Sequence, residues 1–382
     1  MEPFAAACTH STIWQITKKE EIKKNMESAM GQVRSAYHFC GFDFPLKLIA
    51  LGEGALTGWT DAMYDYDHPK AIRELYGGIT IPGEETDKLG ELSSELGIYL
   101  IGQIQSIDPD LMEGRYFNTA FILDPKGKVI YKKHKTSLFP GERVTCPTDI
   151  WDAYIEKYGS DPKKLMDAIW PVAKTEIGNI GTLICGEGDK PEAARALAMN
   201  GAEIIWRGTY FGDTYVPQFE LANRSHAMFN TCYVLAPGDP VCLNPPHLPG
   251  APSSIIDYRG NVIAQTTTGA GDKSIMATLN MEELRQFRVK TRFLNFMSQL
   301  RIEEYILPYQ YAIDNGGIYP KNLAMDEPPM TRQPHYDLLR YNINKLVELG
   351  VWVPPEGWKP YPIATEVLER IEKARSRPSV KA

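Results

Sequence analysis

The sequence predicts a layered α/β domain carrying a C-terminal extension. Short apolar runs of strand length alternate with amphipathic segments of helical period up to about residue 290. Hairpin signals interrupt that alternation, which argues for stacked helix and sheet layers rather than uniform βαβ winding. Beyond residue 293 the composition turns to Pro, Tyr and Asn, so the expected division is a domain over 1–292 and an extension over 293–382.

The elements follow in order. Ile22, Met26, Met30 and Val33 recur at helical steps and predict a helix over 18–40. The apolar run 46–51 is short enough for a buried strand and ends at Gly52-Glu53-Gly54. A helix is expected over 88–96 and strands over 98–104, 117–123 and 128–133, the last two joined by the turn Asp124-Pro125-Lys126-Gly127. A strand over 181–185 leads into a helix opened by Pro191 and running over 193–200 to Gly201. Strands over 202–206 and 232–237 flank a helix over 217–230, and a hairpin pairs 254–258 with 261–264. In the extension only 336–348 and 365–377 read as helical; its apolar and aromatic content predicts a segment that wraps the core or a neighbouring subunit.

Composition excludes several classes. Apolar residues make up 43% and charged residues 23%, which is globular and not disordered. With a net charge of −7 and no long basic run, there is no electrostatic case for nucleic acid or an anionic membrane. No apolar stretch reaches the roughly 18 residues of a membrane span. The start, Ala5-Ala6-Ala7-Cys8, imitates a lipoprotein signal but lacks the basic and apolar regions before it. The six cysteines are scattered without a CxxC pair, which predicts reduced thiols in a cytoplasmic protein. No HExxH or clustered His pair points to a metal.

Three sites carry chemistry. Gly52-Glu53-Gly54-Ala55-Leu56-Thr57-Gly58 imitates a dinucleotide loop, but its third Gly is one position late and no helix opens there; its Glu53 stands at the end of a buried strand. In Tyr131-Lys132-Lys133-His134-Lys135, period-2 alternation puts Lys133 and Lys135 on one face and Lys132 and His134 on the other. An inward lysine there requires a carboxylate, and Glu142 lies in the loop that leaves the strand. In Leu183-Ile184-Cys185-Gly186-Glu187-Gly188, the cysteine sits at a sharp strand exit where the Gly186 N–H is a candidate oxyanion donor.

Together these segments resemble the carbon–nitrogen hydrolase (nitrilase) superfamily, which uses Glu, Lys and Cys in that chain order. Gly52 stands where the family's first motif has Pro, and Lys132 where its second has Arg. The resemblance implies an α-β-β-α sandwich and a triad of Glu53, Lys133 and Cys185, with Lys135 the alternative lysine. Glu53 is then the general base, Cys185 the nucleophile that forms a thioester, and Lys133 the group that stabilises the oxyanion and lowers the thiol pKa. Glu142 is the additional carboxylate that orients the lysine and the scissile amide. It further implies no cofactor, a small-molecule amide substrate and a homo-oligomer.

Cys185-Gly186-Glu187-Gly188 with Pro191-Glu192, Trp206-Arg207-Gly208-Thr209-Tyr210 and Asn223-Arg224-Ser225-His226 resemble the aliphatic amidase and formamidase branch. That adds Gly186, Glu187, Arg207 and Tyr210 as substrate or oxyanion residues. Gly54, where that branch has a Tyr, implies a roomier pocket. Carbamoylase or nitrilase chemistry on the same triad, and a non-enzymatic binding scaffold, are the alternatives. The long connections 61–80 and 145–165 are expected to shape the pocket or an interface.

Overall fold

A computed structural model describes residues 1–58, 67–210, 216–238, 242–243, 251–267, 271–315 and 318–378. Trp59 and the start of the 61–80 connection lie outside the described residues. The strands are β1 Phe4–His10, β2 Ile13–Trp14, β3 Leu46–Ala50, β4 Tyr99–Ile107, β5 Tyr116–Leu123, β6 Val129–His134, β7 Ala173–Thr175, β8 Gly178–Ile184, β9 Ile204–Gly208, β10 Tyr233–Ala236, β11 Cys242–Leu243, β12 Ser254–Ile256, β13 Val262–Gln265 and β14 Lys273–Leu279.

They form two six-stranded sheets, β14-β1-β3-β4-β5-β6 and β13-β12-β10-β9-β8-β7, with β11 and β2 as a separate pair. In each sheet a parallel core (β1-β3-β4 and β8-β9-β10) is flanked by antiparallel strands. The sheets pack face to face through Phe4, Leu48, Ile101 and Ile122 on one side and Ile180, Ile204, Trp206 and Leu235 on the other. Helices Ile22–Cys40 and Glu84–Leu96 cover the outer face of the first sheet. Helices Pro191–Met199 and Val216–Asn230 cover the second. This is the α-β-β-α sandwich that the family resemblance implies.

Most expected elements are present with shifted ends; the differences have physical causes. β1 is fully buried although it reads Phe-Ala-Ala-Ala-Cys-Thr-His: its small side chains let it sit between β14 and β3 in the interior of a sheet. The connection 145–165 contains helix Trp151–Tyr158 and runs into helix Pro162–Ile169, capped by Asp161. In the extension, helix Ile302–Asp314 continues through Pro308, which the sequence marks as a breaker, and none of its residues is buried. The following segment has its own small core of Leu323, Leu338, Val367 and Ile371. No helix among the described residues is long and apolar enough to cross a membrane.

Two polar contacts pin the sheets together behind the strand ends that matter below. The Trp206 indole donates across the sandwich to the Leu51 carbonyl (2.9 Å), and the Tyr131 and Thr182 hydroxyls meet at 2.8 Å. On the outer side, helix Glu84–Leu96 rests on the turn after β5, where a Cβ at Gly90 would overlap the Gly127 carbonyl oxygen. Gly90→Ala therefore lowers the melting temperature: overpacking of about 1–3 kcal/mol exceeds the helix-propensity gain of about 1 kcal/mol. A thermal melt checks the sign.

Candidate active site

Three strand exits converge at one end of the sandwich. Glu53 follows β3, Lys135 follows β6 and Cys185 follows β8. All three are buried, as is Glu142. The turn after β3 is held by the Gly54 N–H, which donates to Gln103 Oε1 (2.8 Å). Gln103 passes its own amide to Asn118 Oδ1 (2.7 Å). Asn118 Nδ2 then reaches Glu53 Oε1 (3.0 Å) and Glu142 Oε1 (3.4 Å), so one side-chain amide sets the spacing of two carboxylates.

Lys135 completes this group. Its Nζ lies 2.7 Å from Glu142 Oε2 and 3.4 Å from Glu53 Oε1. Lys133 points the same way from the strand but is engaged elsewhere, 2.5 Å from Glu187 Oε1. Thus the lysine beside Glu53 and Cys185 is Lys135 and not Lys133. The alternation places both on one face; β6 ends at His134, and only the lysine beyond that end reaches the carboxylates. On the opposite face Lys132 and His134 share Asp108 (2.7 and 3.1 Å).

Cys185 adopts φ +52°, a left-handed conformation that a side-chain-bearing residue holds only where its surroundings enforce it. Two groups do so. Glu187, fully buried, accepts from Lys133, from Thr136 N and Oγ1 (2.6 and 2.5 Å) and from Ile184 N (2.5 Å), tying the cysteine turn to the lysine strand. Arg207, also fully buried, grips the Cys185 carbonyl through Nε and Nη2 (3.2 and 3.1 Å). It also bonds Asn223 and Asp189 and stacks on the Phe219 ring. Both side chains, expected to meet substrate, are committed to holding this turn. Gly186 belongs to the turn, where its carbonyl accepts from Lys190 (2.8 Å). The Tyr210 backbone N–H reaches the Cys185 sulfur.

Electrostatics divide the labour. Burial raises the Glu53 carboxyl, helped by Glu142 and opposed by Lys135, Asn118 and Cys185, to about 7. Burial pulls Lys135 down, but Glu142 and Glu53 outweigh it and hold the ammonium well above its usual value. Burial and the Glu53 charge push the Cys185 thiol well up, against the pull of Lys135. The expected lowering of the thiol pKa by lysine is therefore present but outweighed, and the sulfur rests as a thiol against a carboxylate that can take its proton. Glu53 Oε2 is buried without an N–H or O–H donor among the described residues, which leaves that oxygen open to the sulfur's proton. Among the described residues no cluster of three or more His, Cys, Asp or Glu is arranged to hold a metal ion.

A family model for carbon-nitrogen hydrolases matches residues 4–289. The chain belongs to the carbon–nitrogen hydrolase family. Formamidases of Bacillus thuringiensis (strain Al Hakam) and Bacillus cereus (strain AH820) are 32% identical to it over 158 residues. That alignment covers 41% of this chain and 42% of each formamidase, so less than half of these relatives is matched. Among solved structures, a carbon-nitrogen hydrolase from Helicobacter pylori G27 superposes with a TM-score of 0.59 at 18% identity, covering 79% of this chain and 97% of that one. An amidase from Nesterenkonia sp. gives 0.55 at 15%, covering 81% and 96%. At such identities the likeness is one of fold.

In this carbon–nitrogen hydrolase, sequence reading missed Asn118 and Gln103. Their signal is an amide inside a long, almost wholly buried strand, where each must be satisfied by something specific. The geometry also separates the two lysines by experiment. Lys133→Met strips Glu187 of its buried counter-charge, and breaking such a pair costs about 3–5 kcal/mol. Urea unfolding of this variant is expected to show a loss of that size.

Proposed function

We propose that the protein is an amidohydrolase that cleaves the C–N bond of a small carboxamide to acid and ammonia through a thioester on Cys185. The observation that carries this reading is the buried contact of the Cys185 thiol with Glu53, beside an ammonium that spans Glu53 and Glu142. The formamidases matched over part of the chain support the amide class.

Glu53 takes the thiol proton as the sulfur attacks the carbonyl carbon. Lys135 and the Gly186 N–H stabilise the oxygen that becomes negative. Glu53 returns the proton to the leaving nitrogen, the C–N bond breaks and ammonia departs. Water then adds to the thioester with Glu53 again as base, releasing the acid and restoring the thiol. Glu142 keeps Lys135 charged and aimed, and Asn118 holds both carboxylates. In this reading Lys135 takes the role that the family resemblance assigns to Lys133.

The exposed helix Ile302–Asp314 adds a proposal about assembly. Tyr305, Ile306, Leu307 and Ile313 are each more than half exposed on a strongly apolar helix, a surface that supports self-association. A light-scattering mass of a multiple of 43.0 kDa is expected, and a monomer at micromolar concentration sinks this proposal.

Ammonia release from matched amide, nitrile and N-carbamoyl compounds tests the function, with Cys185→Ala as control. Turnover is expected on amides, abolished in Cys185→Ala and reduced about 10²–10³-fold in Lys135→Met. Turnover confined to nitriles or carbamoyl compounds replaces the substrate class and keeps the triad; no Cys185-dependent turnover favours a binding scaffold. The pH profile has a set direction. A base raised to about 7 is protonated, and idle, below that value, so kcat/KM falls as pH drops through about 7. A profile flat from pH 8 to 5 removes Glu53 as the base.

A further inference from the structure

The C-terminal segment packs onto the turn that bears Glu142, although it lies outside the residues 4–289 that match the family. In that turn the Glu142 N–H closes on the Phe139 carbonyl (3.0 Å), and the Phe139 N–H binds Glu142 Oε2 (3.1 Å). From the core side, His68 Nε2 donates to the Arg143 carbonyl (2.6 Å), its Nδ1 accepting from Tyr116 N (3.4 Å). From the outer side come three contacts made by the extension. His335 Nδ1 accepts the Gly141 N–H (2.9 Å). Arg143 Nη2 donates to the Pro329 carbonyl (3.2 Å). Arg332 stands so close to Gly141, at φ +89°, that a Cβ there would lie 2.9 Å from its Cγ.

Between turn and extension remains a cavity of about 20 Å³, room for one water, bordered by Glu142, Tyr319, Met330 and His335. Glu142 is thus buried partly by the extension. His335 accepts the N–H of the residue immediately before Glu142, so a shift there moves the carboxylate that aims Lys135.

We infer that His335 is a positioning residue for Glu142: the extension folds back in the same chain and sets the last carboxylate of the site from outside. The inference rests on the function proposed above. His335 accepts with Nδ1, so its proton is on Nε2, and burial, opposed by Glu142, lowers its pKa and keeps the ring neutral. What the turn requires is an acceptor at that point, with no positive charge.

Asparagine offers such an acceptor, because its Oδ1 stands where Nδ1 does; leucine fills the space without one. In the full-length protein His335→Leu is expected to lose about tenfold or more in kcat with a smaller change in KM, since displacements of about 1 Å cost up to about 100-fold. His335→Asn is expected to keep most of the wild-type rate. The rate of Cys185 alkylation by iodoacetamide, read by mass spectrometry, follows the same order. Equal behaviour of the two variants in both assays overturns the inference. Should His335→Leu fail to fold, His335→Asn decides alone: a retained rate supports the role and a tenfold loss ends it. If the wild-type protein turns over no amide, nitrile or carbamoyl compound, the functional reading fails, and alkylation still judges His335.

Discussion

One ammonium sealed from water among two carboxylates sets the terms for the molecule. Lys135, Glu53 and Glu142 are buried to within a few per cent, so their attractions are little screened and each charge depends on the others for its neutralisation. Such a group is stabilising only if the geometry is kept, because a displaced partner leaves a bare charge in a low dielectric. Burial, helped by the Glu142 charge and only partly offset by Lys135, is why the carboxyl beside the sulfur retains a proton affinity close to neutrality. A base of that strength can accept a proton and give it back within one reaction cycle.

The sandwich supplies the rigidity this demands. The three reactive groups stand on strand exits from two sheets, and the sheets are pinned by the Trp206–Leu51 and Tyr131–Thr182 bonds just behind those exits. Glu187 and Arg207 tie the turn that carries Cys185 to the lysine strand and to the helix behind it. The Gly54–Gln103–Asn118 chain does the same for Glu53. Functional polarity is thus surrounded by polar groups whose task is placement.

How far the sequence revealed this depended on the kind of information each residue carries. Glu53 and Cys185 were legible because a reactive side chain beside glycine at the end of an apolar run marks a strand exit where the backbone bends sharply. Lysine choice was not: alternation tells which face a side chain takes and says nothing of how far along the strand the charged cluster lies. Glu187 and Arg207 were found as important but for the wrong contact, since a charged residue near a nucleophile looks alike in sequence whether it faces ligand or backbone. β1 stayed hidden because alanines carry little strand signal, and helix Ile302–Asp314 because Pro308 interrupts it. His335 could not be read at all: its partner Gly141 is far away in the chain, and only the folded extension brings them together.

The resting state of Cys185 has a consequence for survival under oxidative stress. Peroxide reacts with thiolates, and does so fastest where they are exposed. Here the sulfur is 4% exposed, and burial beside Glu53 keeps its proton on. In the proposed reaction the sulfur becomes reactive only when an electrophilic carbon is already in place and the proton can move to the carboxylate. A residue that in many redox sensors is the first casualty of an oxidant is here shielded at rest, and the part-buried Cys40 is the more accessible target for hydrogen peroxide.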